Sequence, residues 1–142
     1  MTKNAKTGII NFTGGIAMPS NRDITYLGST EKDSKKLPEE VKELFSYALI
    51  VARAGGEYED AKPLKGFGGR GVMEVVADDR EGTFREVYTV RFDEAIYVLH
   101  IFQKKSKKGI ETPKQDMDLI KKRLKWAEAL HKEHYGKKKT KN

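Results

Sequence analysis

The sequence predicts an α+β fold, with helices packed on one face of a small, mostly antiparallel sheet. Three observations predict it. Residues 84–92 (FREVYTVRF) and 95–103 (AIYVLHIFQ) are β-branched and aromatic runs joined by the polar break of Asp93 and Glu94, the pattern of two paired strands. Residues 38–54 put Val41, Leu44, Phe45, Ala48 and Ala52 on one helical stripe. Near the C-terminus Met117, Ile120, Leu124, Ala127, Leu130 and His131 recur at helical spacing as far as Tyr135, where Gly136 closes the run. The expected order is a short N-terminal strand, two helices packed on one face, a three-stranded meander and a basic C-terminal helix.

Residues 1–21 offer little to bury and read as a flexible extension, residues 22–136 as one domain and residues 137–142 as a basic tail. Residues 24–27 (ITYL) form the first strand, which Gly28 ends. Ser29 and Thr30 are placed to cap a short helix starting at Glu31, which must stop before Pro38 because the residue ahead of proline is pushed out of the helical region. Pro38 then suits the first turn of the long helix, and Glu39, Glu40 and Glu43 favour its positive end. Tyr47, Leu49, Ile50 and Val51 are expected to widen its buried face. Gly55 and Gly56 stop it. Gly66, Gly68, Gly69 and Gly71 put four glycines in six residues, but no GK[ST] ending or helix follows, so a phosphate-binding P-loop is excluded. The cluster reads as an adaptable lead-in to the strand at 72–77, with Arg70 available for a phosphate. That strand and the next are joined by DDREG (78–82), and a type I turn at 92–95 joins the second pair. Thr112, Pro113 and Gln115 look like a capping box opening the last helix, on which Trp126 lies between apolar positions and is expected to pack.

At 142 residues the chain suits one domain with a substantial core. It has no cysteine, which removes disulfides, thiolate zinc sites and thiol catalysis, and it has no run of 18 apolar residues. A soluble, cytoplasmic protein is expected. The net charge of +7 is uneven: residues 104–142 hold 14 Lys and Arg against 5 Asp and Glu, or +9, which leaves −2 for residues 1–103. Such asymmetry suggests a polyanion or an acidic partner at the C-terminal end, or a solubilising tail.

The element order, together with KPLKGFGG (62–69), FREVYTV (84–90) and YVLHIFQKKSKKGIETP (97–113), resembles the RelE/ParE toxin superfamily, within it the phage-derived Gp49-like, HigB-like branch. The resemblance covers about residues 24–135. It implies the toxin of a type II toxin-antitoxin pair, partnered by an antitoxin with a helix-turn-helix domain. HigB-like members cut messenger RNA on the ribosome without a metal or other cofactor, so the implied partners are ribosome and messenger RNA. ParE-like relatives poison DNA gyrase instead, and a degenerate relative would only bind nucleic acid or antitoxin. By the same resemblance Arg85 matches the arginine that stabilises the scissile phosphate, and Lys104 or Lys105 the basic residue ending the last strand. Glu74 and Val76 stand where the family's ribonucleases carry lysines, and their late tyrosine falls loosely at Tyr135.

Metal-free RNA cleavage by the 2′-hydroxyl needs a base, cations on the pentavalent phosphorus and an acid for the leaving oxygen. The candidate catalytic residues are Arg85, Lys105, Lys104, His100 and Glu74. His100, with Val98 and Phe102 expected on its face, is either a base or a structural histidine; His131 and His134 lie on or beside the helical stripe. Glu74 or Glu86 could be the base, but period-two alternation places Arg85 and Glu86 on opposite faces. Arg70, Lys107, Lys108, Lys65 and Arg91 are the candidate RNA-binding cations, which would give salt-dependent, sequence-independent affinity. The bland alternative for the lysines of 104–108 is a solvated edge that discourages strand pairing.

Overall fold

The computed structural model describes residues 21–69, 71–104 and 112–136. The expected N-terminal extension up to residue 20 and the tail at 137–142 lie outside them, as do Arg70, Lys105, Lys107 and Lys108. In chain order the elements are β1 (Asp23–Tyr26), α1 (Thr30–Lys35), α2 (Glu39–Arg53), β2 (Lys62–Pro63), β3 (Val72–Asp79), β4 (Gly82–Thr89), β5 (Ala95–Lys104), α3 (Lys114–His131) and a π-helical turn (Lys132–Gly136). They form one five-stranded sheet in the order β1-β5-β4-β3-β2. The meander β3-β4-β5 is antiparallel, and β1 adds to it parallel to β5.

The sheet is buried on both faces, which is why its central strands read as continuous apolar runs. On one face α2 packs Val41, Phe45, Ala48, Leu49 and Ala52 against Met73, Val75, Phe84, Tyr88, Ile96, Val98 and Ile101. On the other, Ile120 and Ala127 of α3 meet Val72, Val87, Tyr97 and Leu99. The layers are helix, sheet, helix, so the C-terminal helix lies opposite α2. Between them α1 sits against β5 and is tied to α3 by Arg123, whose guanidinium donates to the Leu99 carbonyl at 2.9 Å and to Ser29 Oγ at 3.5 Å.

Several local expectations are corrected. The stripe of α2 is narrower than expected, since Tyr47 and Ile50 are more than half exposed. Trp126 is 47% exposed and does not pack into the core. The caps differ too: Ser29 donates to the Asp33 carboxylate at 2.7 Å instead of closing the end of α1, and Pro38 and Pro113 stand at N-cap positions, each with extended backbone and no side-chain cap. The first run ends at Thr89, so the β4–β5 connection is a five-residue loop and not a turn at 92–95. Strand β2 is an edge pair of residues that adds against Glu74 and Met73.

The β4–β5 ladder carries a bulge. Val87 pairs with His100 and Tyr88 with Val98, so Leu99 is a surplus residue on β5. His100 therefore shares a face with Val87, while Val98 lies in the α2 core. The sequence's regular alternation had put Val98 and His100 together, and the bulge separates them.

Candidate functional site

The register arranges the α3 side of the meander as three rows across β3, β4 and β5. They are Glu74, Val87 and His100; Val76, Arg85 and Phe102; and Asp78, Thr83 and Lys104. Arg85 lies at the centre, with His100 and Lys104 as diagonal neighbours at about 7 Å. Only 5% of Arg85 is exposed, so its charge requires partners. Its Nη1 donates to Glu74 Oε2 at 2.6 Å and, at 3.4 Å, to the hydroxyl of Thr112 just ahead of α3. The arginine expected to await a phosphate is thus already engaged by a carboxylate on its own face. Val76 beside it is 43% exposed, and that side of the row opens to solvent.

His100 is held as firmly. Its Nε2 lies 2.8 Å from Asp116 Oδ1 in the first turn of α3, and its ring stacks on Phe102 with centroids 4.4 Å apart. The carboxylate can only accept, so Nε2 donates and Nδ1 carries the lone pair in the neutral ring. That Nδ1 is buried and has no hydrogen-bond partner among the described residues. Burial lowers the His100 pKa; the Asp116 hydrogen bond and charge oppose the shift, and Arg123 adds slightly to it. Asp116 is not singled out in the sequence, and Thr112 is read there only as part of a capping box. Their position at the start of α3 is the signal that could have found them, once the helix was known to cross this face.

Glu86 is excluded from the site. It points into the α2 core between Val75 and Ile101, 1% exposed, with Oε1 unpartnered among the described residues, and burial raises its pKa well above the carboxylate range. Arg91 and Lys65 are not brought to Arg85 either. Arg91 sits past the far end of β4, paired with Glu128 at 2.9 Å, and Lys65 follows Leu64, whose N–H bonds the carbonyl of Val72 at that same end. Tyr135 lies there too: it donates to Asp23 Oδ2 at 2.8 Å, a bond that pushes its pKa up to about 12. His131 joins this second cluster, 2.8 Å from Glu94 Oε1 and 3.1 Å from the Tyr97 hydroxyl, and so serves packing of α3. His134 bonds the carbonyl of Leu130 one turn back and lies beside the Tyr135 ring. A cavity of about 170 Å³ under α2, lined by residues including Arg22, Tyr58 and Tyr88, is on the face opposite the Arg85 cluster.

This layered arrangement is that of a RelE-type fold. A solved structure of the free toxin RelE from E. coli, a double arginine-to-alanine mutant, matches with a TM-score of 0.52 at 15% identity, covering 74% of this chain and 99% of that one. The family described as "Phage derived protein Gp49-like (DUF891)" matches residues 32–125, and the chain belongs to that family. No curated protein matches it. No helix among the described residues is long and apolar enough to cross a membrane.

Proposed function

We propose that the chain is the toxin of a type II toxin-antitoxin pair and that it cuts messenger RNA on the ribosome, in the cytoplasm. Family membership and the RelE-type fold support the toxin reading. The observation that carries the cleavage reading is Arg85: a guanidinium at the centre of a sheet face, oriented by Glu74 beside a histidine and the strand-terminal Lys104.

The chemistry is a transesterification. A base takes the 2′-hydroxyl proton, the 2′-oxygen attacks phosphorus, the bond to the 5′-oxygen breaks and that oxygen takes a proton. The products are a 2′,3′-cyclic phosphate and a 5′-hydroxyl. Arg85 and Lys104, with Lys105, neutralise the charge that builds on the phosphorane oxygens. An arriving phosphate exchanges with Glu74 on the guanidinium, and the released carboxylate is then the base beside the reacting group. His100 is less well placed for that role, with Nε2 engaged by Asp116 and Nδ1 buried. Its dyad instead fixes the start of α3 over the sheet. The partner that silences the protein is an antitoxin with a helix-turn-helix domain.

Cell-free translation of a defined message, with and without ribosomes and followed by primer extension, tests the reading. New 5′ ends at fixed codon positions only in the presence of ribosomes are expected. An intact message at protein levels that stop growth would overturn it and make DNA gyrase the next target to assay.

A further inference from the structure

The outer surface of α3 has an unusual composition. Trp126 is the chain's single tryptophan and is 47% exposed. Around it Lys121, Lys122 and Lys125 are exposed as well. On a helix, positions 121 and 125, 122 and 126, and 122 and 125 are surface neighbours, so the four side chains form one contiguous patch. The three like charges repel each other there, yet among the described residues none has an ion-pair partner. Three acids of the helix are spent elsewhere: Asp116 on His100, Asp118 on Lys114 and Glu128 on Arg91. Arg123 is also excluded, since it turns inward to the carbonyl of Leu99.

We propose that Lys121, Lys122, Lys125 and Trp126 form a docking surface for single-stranded RNA. Unpaired lysines meet a phosphate backbone, and an exposed indole offers a plane on which a base stacks. Charge complementarity alone would also admit an acidic peptide or an anionic bilayer. The bilayer is disfavoured because the apolar stripe of the helix, with Ile120 and Ala127 fully buried, is consumed by the sheet and leaves one ring to insert. A polypeptide carboxylate would satisfy the lysines but leave the indole face unused. The surface faces away from the Arg85 cluster, which lies between α3 and the sheet, and it stands whether or not that cluster cleaves RNA.

The lone tryptophan is its own reporter. The full chain is titrated with a 12-nucleotide 2′-O-methyl oligouridylate, which cannot be cleaved, while indole fluorescence and the anisotropy of labelled RNA are followed. Saturable quenching is expected, matching the anisotropy curve. The triple change Lys121→Gln, Lys122→Gln and Lys125→Gln should weaken binding tenfold or more and reduce the salt slope by about 2, at roughly 0.7 per phosphate contact for single strands. Trp126→Leu should cost about fivefold or more by anisotropy. Arg85→Ala should keep the quenching, which separates this surface from the cleavage site. No binding, binding without quenching, or an unchanged triple variant would overturn the proposal. So would equal or stronger quenching by polyglutamate or phosphatidylserine vesicles.

Discussion

Arg85 and Glu86 are consecutive on β4, both almost wholly buried, and their side chains point to opposite faces of one sheet. On the α3 side the charge of Arg85 is met by Glu74 and Thr112, and around it gather His100, Asp116 and Lys104. On the α2 side the Glu86 carboxyl sits among Val75, Ile101 and the rest of an apolar core, and no cation among the described residues pairs with it. A buried charge survives by pairing, whereas an unpaired acid survives by keeping its proton. One face of the meander is therefore organised polar chemistry, and the other is a core that tolerates one neutral acid.

The largest expected effect tests the first face. Arg85→Ala should lower ribosome-dependent cleavage by about 10²–10³, the scale for losing a transition-state charge donor, while ribosome co-sedimentation persists. A variant that cleaves normally would make the Arg85 pair purely structural. Next in size, Glu74→Ala leaves the guanidinium without its carboxylate and should cost about 3 kcal/mol in urea unfolding, with most of that recovered in the Glu74→Ala, Arg85→Met double variant. If the double variant is no better than the single, the two side chains are not coupled as the 2.6 Å contact implies.

The second face answers to pH. Because burial raises the folded-state pKa of Glu86, the folded protein holds a proton there that the unfolded chain has lost. Stability from this group is complete below the ordinary carboxylate pKa of 4.5 and declines as pH rises towards the folded value. Glu86→Gln should thus raise Tm by several degrees at pH 8 and by little at pH 4; an equal gain at both would mean that the carboxyl does not titrate on folding. The smallest effect is at the β3–β4 turn. Gly82 has φ +133° and a Cβ there would meet the Gln103 side chain, which bonds the Glu81 carbonyl, so Gly82→Ala should cost about 1–2 kcal/mol with the site unaffected.

The sequence shows the meander and both long helices because their periodicities come from burial itself. It does not show β2, because Lys62 and Pro63 have no strand character and owe their state to the edge of β3. The exposure of Tyr47, Ile50 and Trp126 is equally hidden: periodicity gives the direction of a stripe, but the breadth of the sheet beneath decides how much is covered. At the site, Arg85, Glu74, His100 and Lys104 are all legible as chemistry-bearing residues. Their pairing is not, since Arg85 meets Glu74 only through the cross-strand register and His100 meets Asp116 only once α3 is folded back. The same register leaves Arg91 and Lys65 behind, although composition made them look equivalent to the other cations.

The surplus residue on β5 sets a parity. From Ala95 to Leu99 the odd-numbered side chains look towards α3, and beyond the bulge Phe102 does so instead, with Lys104 following it. Pair the strand regularly with that residue kept in the ladder, and His100, Phe102 and Lys104 would turn together into the α2 core, taking the imidazole and the lysine away from Arg85. The polar face is thus less a set of separately placed residues than the product of one count. A strand that paired Leu99 in line would erase it as a unit, even though every residue named in it would still be present in the chain, whereas deleting Leu99 would keep Val98 opposite Tyr88 and His100 opposite Val87.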